Sequence, residues 1–141
     1  MLDLQLVTMS GTKLERQVYE VILPTMAGEI SVFPGHEPLV GVAVPGVITV
    51  RLEKDGDDLD YYAISGGVIE INQTGVRVLV DEADHGEDIV EADTQAALDR
   101  ALALRDSAQT QLELEHAHKL VDRHAVRLKV ADLRRRSRRR R

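Results

Sequence analysis

The sequence predicts a β + α protein, with an antiparallel β domain over residues 1–86 and a helical arm over residues 87–141. Two distributions carry that prediction. All ten glycines lie between Gly11 and Gly86, and all four prolines (Pro24, Pro34, Pro38, Pro45) lie in the first 45 residues. Glycine costs a helix interior about 1 kcal/mol and proline about 3, whereas a β domain needs turn formers at short intervals. The apolar period also changes from two to helical spacing close to residue 88.

Within the first part, Leu2-Asp3-Leu4-Gln5-Leu6, Ile48-Thr49-Val50-Arg51-Leu52 and Val76-Arg77-Val78-Leu79-Val80 alternate. Turn signals separate such runs: Ser10-Gly11, Pro34-Gly35, Pro45-Gly46, Asp55-Gly56 and Asn72-Gln73-Thr74-Gly75. Short strands at this spacing read as an antiparallel sandwich or barrel. Parallel βαβ units would need helical crossovers, and none is visible before residue 88. From Asp88 onward, Leu98, Ala101, Leu102 and Arg105 share one helical face. Leu114, Ala117, Val121, His124, Leu128 and Ala131 then repeat at steps of three and four, an a/d seam. Asp106-Ser107-Ala108-Gln109-Thr110 favours helix least and predicts a break between two helices. Unbroken, a helix of about 50 residues would reach ~75 Å at 1.5 Å per residue, and a hairpin about half that.

Composition narrows the function. Cysteine is absent, which excludes disulfides, thiolate catalysis and cysteine-ligated metals. The first residues have no basic, apolar leader pattern, and no stretch approaches a membrane span, so a cytoplasmic soluble protein is expected. The net charge of −6 hides an asymmetry. Seven of 18 Lys and Arg lie in residues 134–141, leaving 11 basic against 24 acidic groups in the body, a net of −13. A cationic tail wants an acidic partner: nucleic acid, anionic lipid or a carboxylate-rich protein surface. Aromatics are only 3% and none lies near the tail to stack bases, and the acidic body would repel a polyanion. An acidic protein is therefore the better expectation, with a β-domain adaptor binding nucleic acid or an acidic protein through the tail as the rival class.

Catalytic templates fail on residue supply or spacing. No serine stands in G-x-S-x-G, and no phosphate-binding glycine loop is present. Ser65-Gly66-Gly67 precedes a strand-like run and reads as a tight turn. Glu115, His118 and Asp122 share a helical face, which reads as solvated surface rather than a zinc site. His124 on the seam reads as a packed polar residue. His36, in Phe33-Pro34-Gly35-His36-Glu37-Pro38, fits a surface turn and a partner-contact loop equally. The dense acids Asp81, Glu82, Asp84, Glu87, Asp88, Glu91 and Asp93 flank a helix start, where carboxylates offset the positive end of the dipole. No enzyme activity, cofactor or metal is expected.

Four segments together resemble the epsilon subunit of bacterial F-type ATP synthases. They are Gly28-Glu29-Ile30-Ser31-Val32-Phe33-Pro34-Gly35-His36-Glu37-Pro38-Leu39, Pro45-Gly46-Val47-Ile48, Ile64-Ser65-Gly66-Gly67-Val68-Ile69-Glu70-Ile71 and Val76-Arg77-Val78-Leu79. Pro38, Leu39, Gly46, Ser65, Gly66, Gly67 and Glu70 are the motif positions. The resemblance covers nearly the whole chain, including the last helical turns at Leu128-Lys129-Val130-Ala131-Asp132-Leu133. It implies a ten-stranded sandwich and two helices, placed in the rotor stalk as a peripheral subunit on the cytoplasmic face of the cell membrane. Implied partners are the gamma subunit, the c-ring and, when the arm extends, the catalytic alpha/beta subunits, without nucleic acid or direct membrane insertion. The loop from Glu29 through Pro34, Gly35 and His36 would face the c-ring. The arm, through Leu114, Val121, Leu128 and the arginines Arg134, Arg135, Arg136 and Arg138, would hinder ATP hydrolysis. Several members carry Ile/Leu-Asp-x-x-Arg-Ala at the first helix, for ATP; here Val90 replaces the acid and Asp93 the arginine, which predicts no useful nucleotide binding.

Overall fold

The computed structural model describes residues 1–140; Arg141, the last residue of the Arg-rich tail, lies outside them. Ten strands come first: β1 (Leu2–Thr8), β2 (Gly11–Val18), β3 (Glu20–Thr25), β4 (Gly28–Val32), β5 (Leu39–Ala43), β6 (Gly46–Arg51), β7 (Leu59–Ile64), β8 (Gly67–Ile71), β9 (Gly75–Val80) and β10 (Ala83–His85). A single 3-10 turn at Gly86–Asp88 leads to α1 (Glu91–Ser107) and α2 (Gln111–Arg139). The ten-stranded sandwich and the two-helix arm are both present.

The hydrogen-bonded order is β10-β7-β6-β3-β5-β8-β9-β1-β2, and β4 branches from β3. Alternate residues turn inward, as the period-two runs require. Leu2, Leu4, Leu6, Val21, Leu23, Ile48, Val50, Ile69, Ile71, Val76 and Val78 form one core. The expectation of a purely antiparallel sheet needs one correction: β1 pairs with β9 in parallel, Asp3 opposite Gly75 through Val7 opposite Leu79. No crossover helix is needed, because the connection between these strands is nearly the entire domain.

Close approach explains the glycine motif. A Cβ on Gly67 would sit 2.0 Å from the carbonyl oxygen of Leu79, so β8 can begin against β9 only without a side chain there. Ser65-Gly66 makes the turn from β7 to β8. The Ser65 amide donates to the Glu82 carbonyl at 3.0 Å, and the Glu82 amide donates to Ser65 Oγ at 2.9 Å. The turn after β9 is thereby stitched to the turn after β7.

β7 is the strand that receives the arm. Its residues Tyr61, Tyr62, Ala63 and Ile64 are all buried. Tyr62 and Ile64 face the sandwich core, whereas Tyr61 and Ala63 join Ile89 and Val130 in a second cluster. The arm therefore lies folded against the body, and α1 and α2 form a hairpin. Its break falls at Ala108–Thr110, inside the expected stretch. Thr110 is the N-cap of α2 and accepts from the Glu113 amide at 3.1 Å, while the Glu113 carboxylate accepts from the Gln109 amide at 2.9 Å. Thr110-Gln111-Leu112-Glu113 is thus a capping-box signal that composition alone had not exposed.

Replacing Gly67 by Ala is expected to destabilise the chain by about 2–3 kcal/mol through overpacking. Gly41→Ala, with nothing within 4 Å of the added Cβ, should stay within about 0.5 kcal/mol. Thermal melts of both variants check this; equal melting temperatures would refute the packing requirement at Gly67.

Candidate functional site

Three surfaces hold the residues singled out by sequence. The first is the outward face of β5, β8, β9 and β1. The registers align Val42 with Val68, Val68 with Leu79 and Leu79 with Val7, a row of apolar side chains crossing four strands. Val40 is 75% exposed, Val42 52% and Val68 41%. In the next row Glu70 stands opposite Arg77 and Val40. Opposite charges directly across a pair support it. A contiguous apolar row on a flat face, bordered by charge, is the pattern of a docking surface rather than of scattered surface valines. Sequence reasoning named Glu70 but missed the row. Its signal was an apolar residue at the solvent position of adjacent strands, visible only once register is known.

The second surface is a free edge. Glu29 was expected in a loop reaching His36, but residues 28–32 are strand β4, paired only with β3. Glu29 is exposed beside the β3–β4 turn, and the irregular stretch begins at Phe33. Gly35 has φ +85°, a conformation that favours glycine, and its amide donates to the Gln73 carbonyl at 2.9 Å. Pro34 and Gly35 are exposed and His36 is half-buried, its Nδ1 2.7 Å from the Glu37 carbonyl. The Phe33 ring meets Tyr19 edge-on at 5.6 Å. These four residues thus lie along one open strand edge and the turn that follows it. Pro38 and Leu39 lead into β5, and Gly46 opens β6 where a Cβ would press on Pro24 at 2.9 Å.

The third surface is the interface of arm and body. The seam residues Leu114, Val121, His124 and Leu128 are half-buried, and Ala117 is fully buried. Small residues on α1, Thr94 and Ala101, are buried too. Burial and the neighbouring cations Arg123, Arg127 and Arg100 push the His124 pKa down. A second face of α2, off the seam, was not anticipated: Val126, Val130 and Leu133 lie against Tyr61, Ala63 and Ile89, with Val130 wholly buried. Ala131, assigned to the seam, belongs to this body-facing cluster instead.

The acidic stretch also has more to do than offset a helix dipole. Arg123 Nε lies 2.9 Å from Glu82 Oε2, Arg127 Nε 3.4 Å from Asp84 Oδ2 and Arg134 Nη2 3.7 Å from Glu87 Oε1. Arg134 Nη1 donates to the Gly86 carbonyl at 3.3 Å. Arg135 donates to Glu91 at 2.9 Å and to Asp132, and Arg136 lies 3.1 Å from Asp132. Arg134, Arg135 and Arg136, expected to seek a partner's carboxylates, therefore meet the chain's own; Arg138 is exposed near the same end. Asp60 links body to turn: His85 Nε2 lies 2.5 Å from it and the Tyr62 hydroxyl donates to it at 3.4 Å. Burial, then Asp60, pushes the Tyr62 pKa well above the ordinary tyrosine range.

At the degenerate nucleotide positions, Val90 is exposed at the α1 N-cap and Asp93 is exposed in its first turn. Glu115, His118 and Asp122 are exposed on α2.

The family model of the ATP synthase delta/epsilon chain β-sandwich domain matches residues 1–86. The ATP synthase epsilon chain of Herpetosiphon aurantiacus is 36% identical over 135 residues, covering 95% of this chain and 96% of that relative. The epsilon chain of Rippkaea orientalis is 34% identical, covering 86% and 81%. A chain in the OSCP/F1/c-ring structure of the Euglena gracilis mitochondrial ATP synthase superposes with a TM-score of 0.77 at 25% identity, covering 94% of this chain and 81% of that one. A chain in the central stalk and c-ring structure of the Tetrahymena thermophila enzyme shares the fold, with a TM-score of 0.60 at 12% identity over 92% and 96%. Sandwich, arm and sequence agree over nearly the full length, and the chain belongs to the ATP synthase delta/epsilon family, among its epsilon chains.

Proposed function

We propose that this chain is a central-stalk subunit of a proton-translocating F-type ATP synthase, catalysing nothing itself and coupling c-ring rotation to ATP synthesis. The observation that carries the reading is the likeness over sandwich and arm together, to epsilon chains and to a chain of an F1/c-ring assembly. Among the described residues no helix is long and apolar enough to cross a membrane. In this reading the chain is a peripheral subunit on the cytoplasmic face of the cell membrane, held there by its partners.

Each surface takes one role. The apolar row Val42-Val68-Leu79-Val7 suits the gamma subunit, because burying it on a rotor shaft removes apolar area from water. The β4 edge and its turn, Glu29 with Pro34, Gly35 and His36, suit the c-ring. Residues 1–86 are then the rotor-binding domain, and residues 87–141 the regulatory arm. Leu114, Val121 and Leu128 hold the hairpin, and the arginines Arg134, Arg135, Arg136 and Arg138 address carboxylates of the alpha/beta subunits when it opens. Helix α2 has 29 residues and spans ~43 Å at 1.5 Å per residue. The rival adaptor reading is not favoured, since Arg134 and Arg135 of the tail it would use are engaged with Glu87 and Glu91.

Three measurements test this. A Val42→Glu/Val68→Lys double variant should keep its melting temperature, since both side chains are exposed and the two charges, directly opposite, are of opposite sign, yet bind gamma about tenfold or more weakly; unaltered co-purification rejects the row as the gamma surface. Truncation after Leu133 should leave assembly intact and raise ATP hydrolysis severalfold, and unchanged hydrolysis removes the tail from the brake. Calorimetric titration of the isolated chain with ATP should give no sub-millimolar binding, because Asp93 offers phosphate a like charge; a sub-millimolar isotherm overturns that.

A further inference from the structure

We propose that Arg123 and Arg127 of α2 form, with Glu82 and Asp84 of the body, an ion-pair latch that holds the arm down and that opens as ionic strength rises. The geometry is periodic on both sides. Glu82 and Asp84 are two residues apart across the entry to β10, a rise of ~6.6 Å in extended chain. Arg123 and Arg127 are one helical turn apart, ~6 Å. The two rises match, so successive carboxylates meet successive guanidinium groups, and both chains run in the same direction. Beyond Gly86 the matched spacing ends: Glu87 meets Arg134 and Glu91 meets Arg135, and these pairs hold α2 to the root of the arm rather than to the body. Each cross-pair joins opposite charges.

The two body-to-arm pairs lie before Val130 on α2, and Arg134, which donates to the Gly86 carbonyl at 3.3 Å, lies after it. The apolar contact is modest: among the described residues four buried side chains with five half-buried ones around them form the arm–body cluster, against eighteen buried in the sandwich core. The pairs are half-exposed, with side-chain exposures of 45% and 49% for Arg123 and Glu82 and of 23% and 36% for Arg127 and Asp84. Exposed pairs are individually weak and screened by salt. The two body-to-arm pairs are in register on one helix, and their loss frees Arg123 and Arg127 for other carboxylates. A modest apolar contact beside screenable rungs is therefore a clasp that ions can loosen, whereas the sandwich beneath it is held by burial that salt does not weaken.

The latch rests on the reading of α2 as a movable arm, and its test separates the two. The full chain has no native cysteine, so Lys13→Cys and Ala125→Cys, both at exposed positions, accept a donor–acceptor dye pair for energy transfer between body and arm. Val130→Asp defines the open value. Transfer is expected to fall toward that value as NaCl is raised from about 0.05 to 1 M, as the Debye length shrinks to ~3 Å. Arg123→Glu with Arg127→Glu should open the arm at low salt, and adding Glu82→Arg with Asp84→Arg should close it again. Salt-independent transfer, no rescue by the swapped pairs, or wild-type transfer in Val130→Asp would each overturn the latch. ATP hydrolysis by the assembled complex reports on the brake alone: a latch that opens normally while hydrolysis is unaffected keeps the latch and discards the brake.

Discussion

Much of this structure depends on one strand being buried on both sides. β7 gives Tyr62 and Ile64 to the sandwich core and Tyr61 and Ala63 to the arm. β10 pairs along it, setting Ala83 opposite Ile64 and His85 opposite Tyr62. His85 and Tyr62 then converge on Asp60, with their rings 4.8 Å apart. This fixes where the chain leaves the sheet. Gly86 follows at a close approach, where an added Cβ would meet Arg134, Val130 and the Tyr61 carbonyl, each at 3.2 Å. The arm's position is thus inherited from the sheet's own register.

The sequence made the two-part plan legible because backbone chemistry writes it strongly. Glycine and proline mark turns, and their disappearance marks helix. The alternating runs at Leu2–Leu6, Ile48–Leu52 and Val76–Val80 gave the core face directly, since period two needs no knowledge of partners. What stayed hidden depends on partners. The parallel match of β1 with β9 and the row Val42-Val68-Leu79-Val7 exist only in register, which one strand cannot encode alone. The double burial of β7 did leave a trace: Tyr61-Tyr62-Ala63-Ile64 breaks the alternation into a continuous run, as strands covered on both faces do. The second face of α2 was masked because Val126, Val130 and Leu133 fall between seam positions, and the heptad pattern explained the helix without them.

The charge pattern shows the same division. A net of −13 over residues 1–133 beside seven arginines in the last eight pointed to an acidic partner. The nearest one is the chain's own stretch from Glu82 to Glu91. Composition counts charges without saying which can meet. Meeting requires the helix to lie alongside β10, which follows from β7 and Val130. Sites such as His124 behave likewise: its sequence position marks a packed residue, but beside burial the guanidinium groups that push its pKa down come from Arg123, Arg127 and Arg100 on two helices.

The parallel pairing of β1 with β9 has a consequence for how the chain comes off the ribosome. β1 and β2 can pair as soon as they emerge, yet the other edge of β1 is filled only by residues 75–79, which are made some seventy positions later. The body therefore closes late, in one long-range step of the kind that slows folding. Everything beyond β10 is synthesised after that closure has become possible. The arm arrives at a finished platform, so its docking and undocking need not reopen the sheet on which it rests.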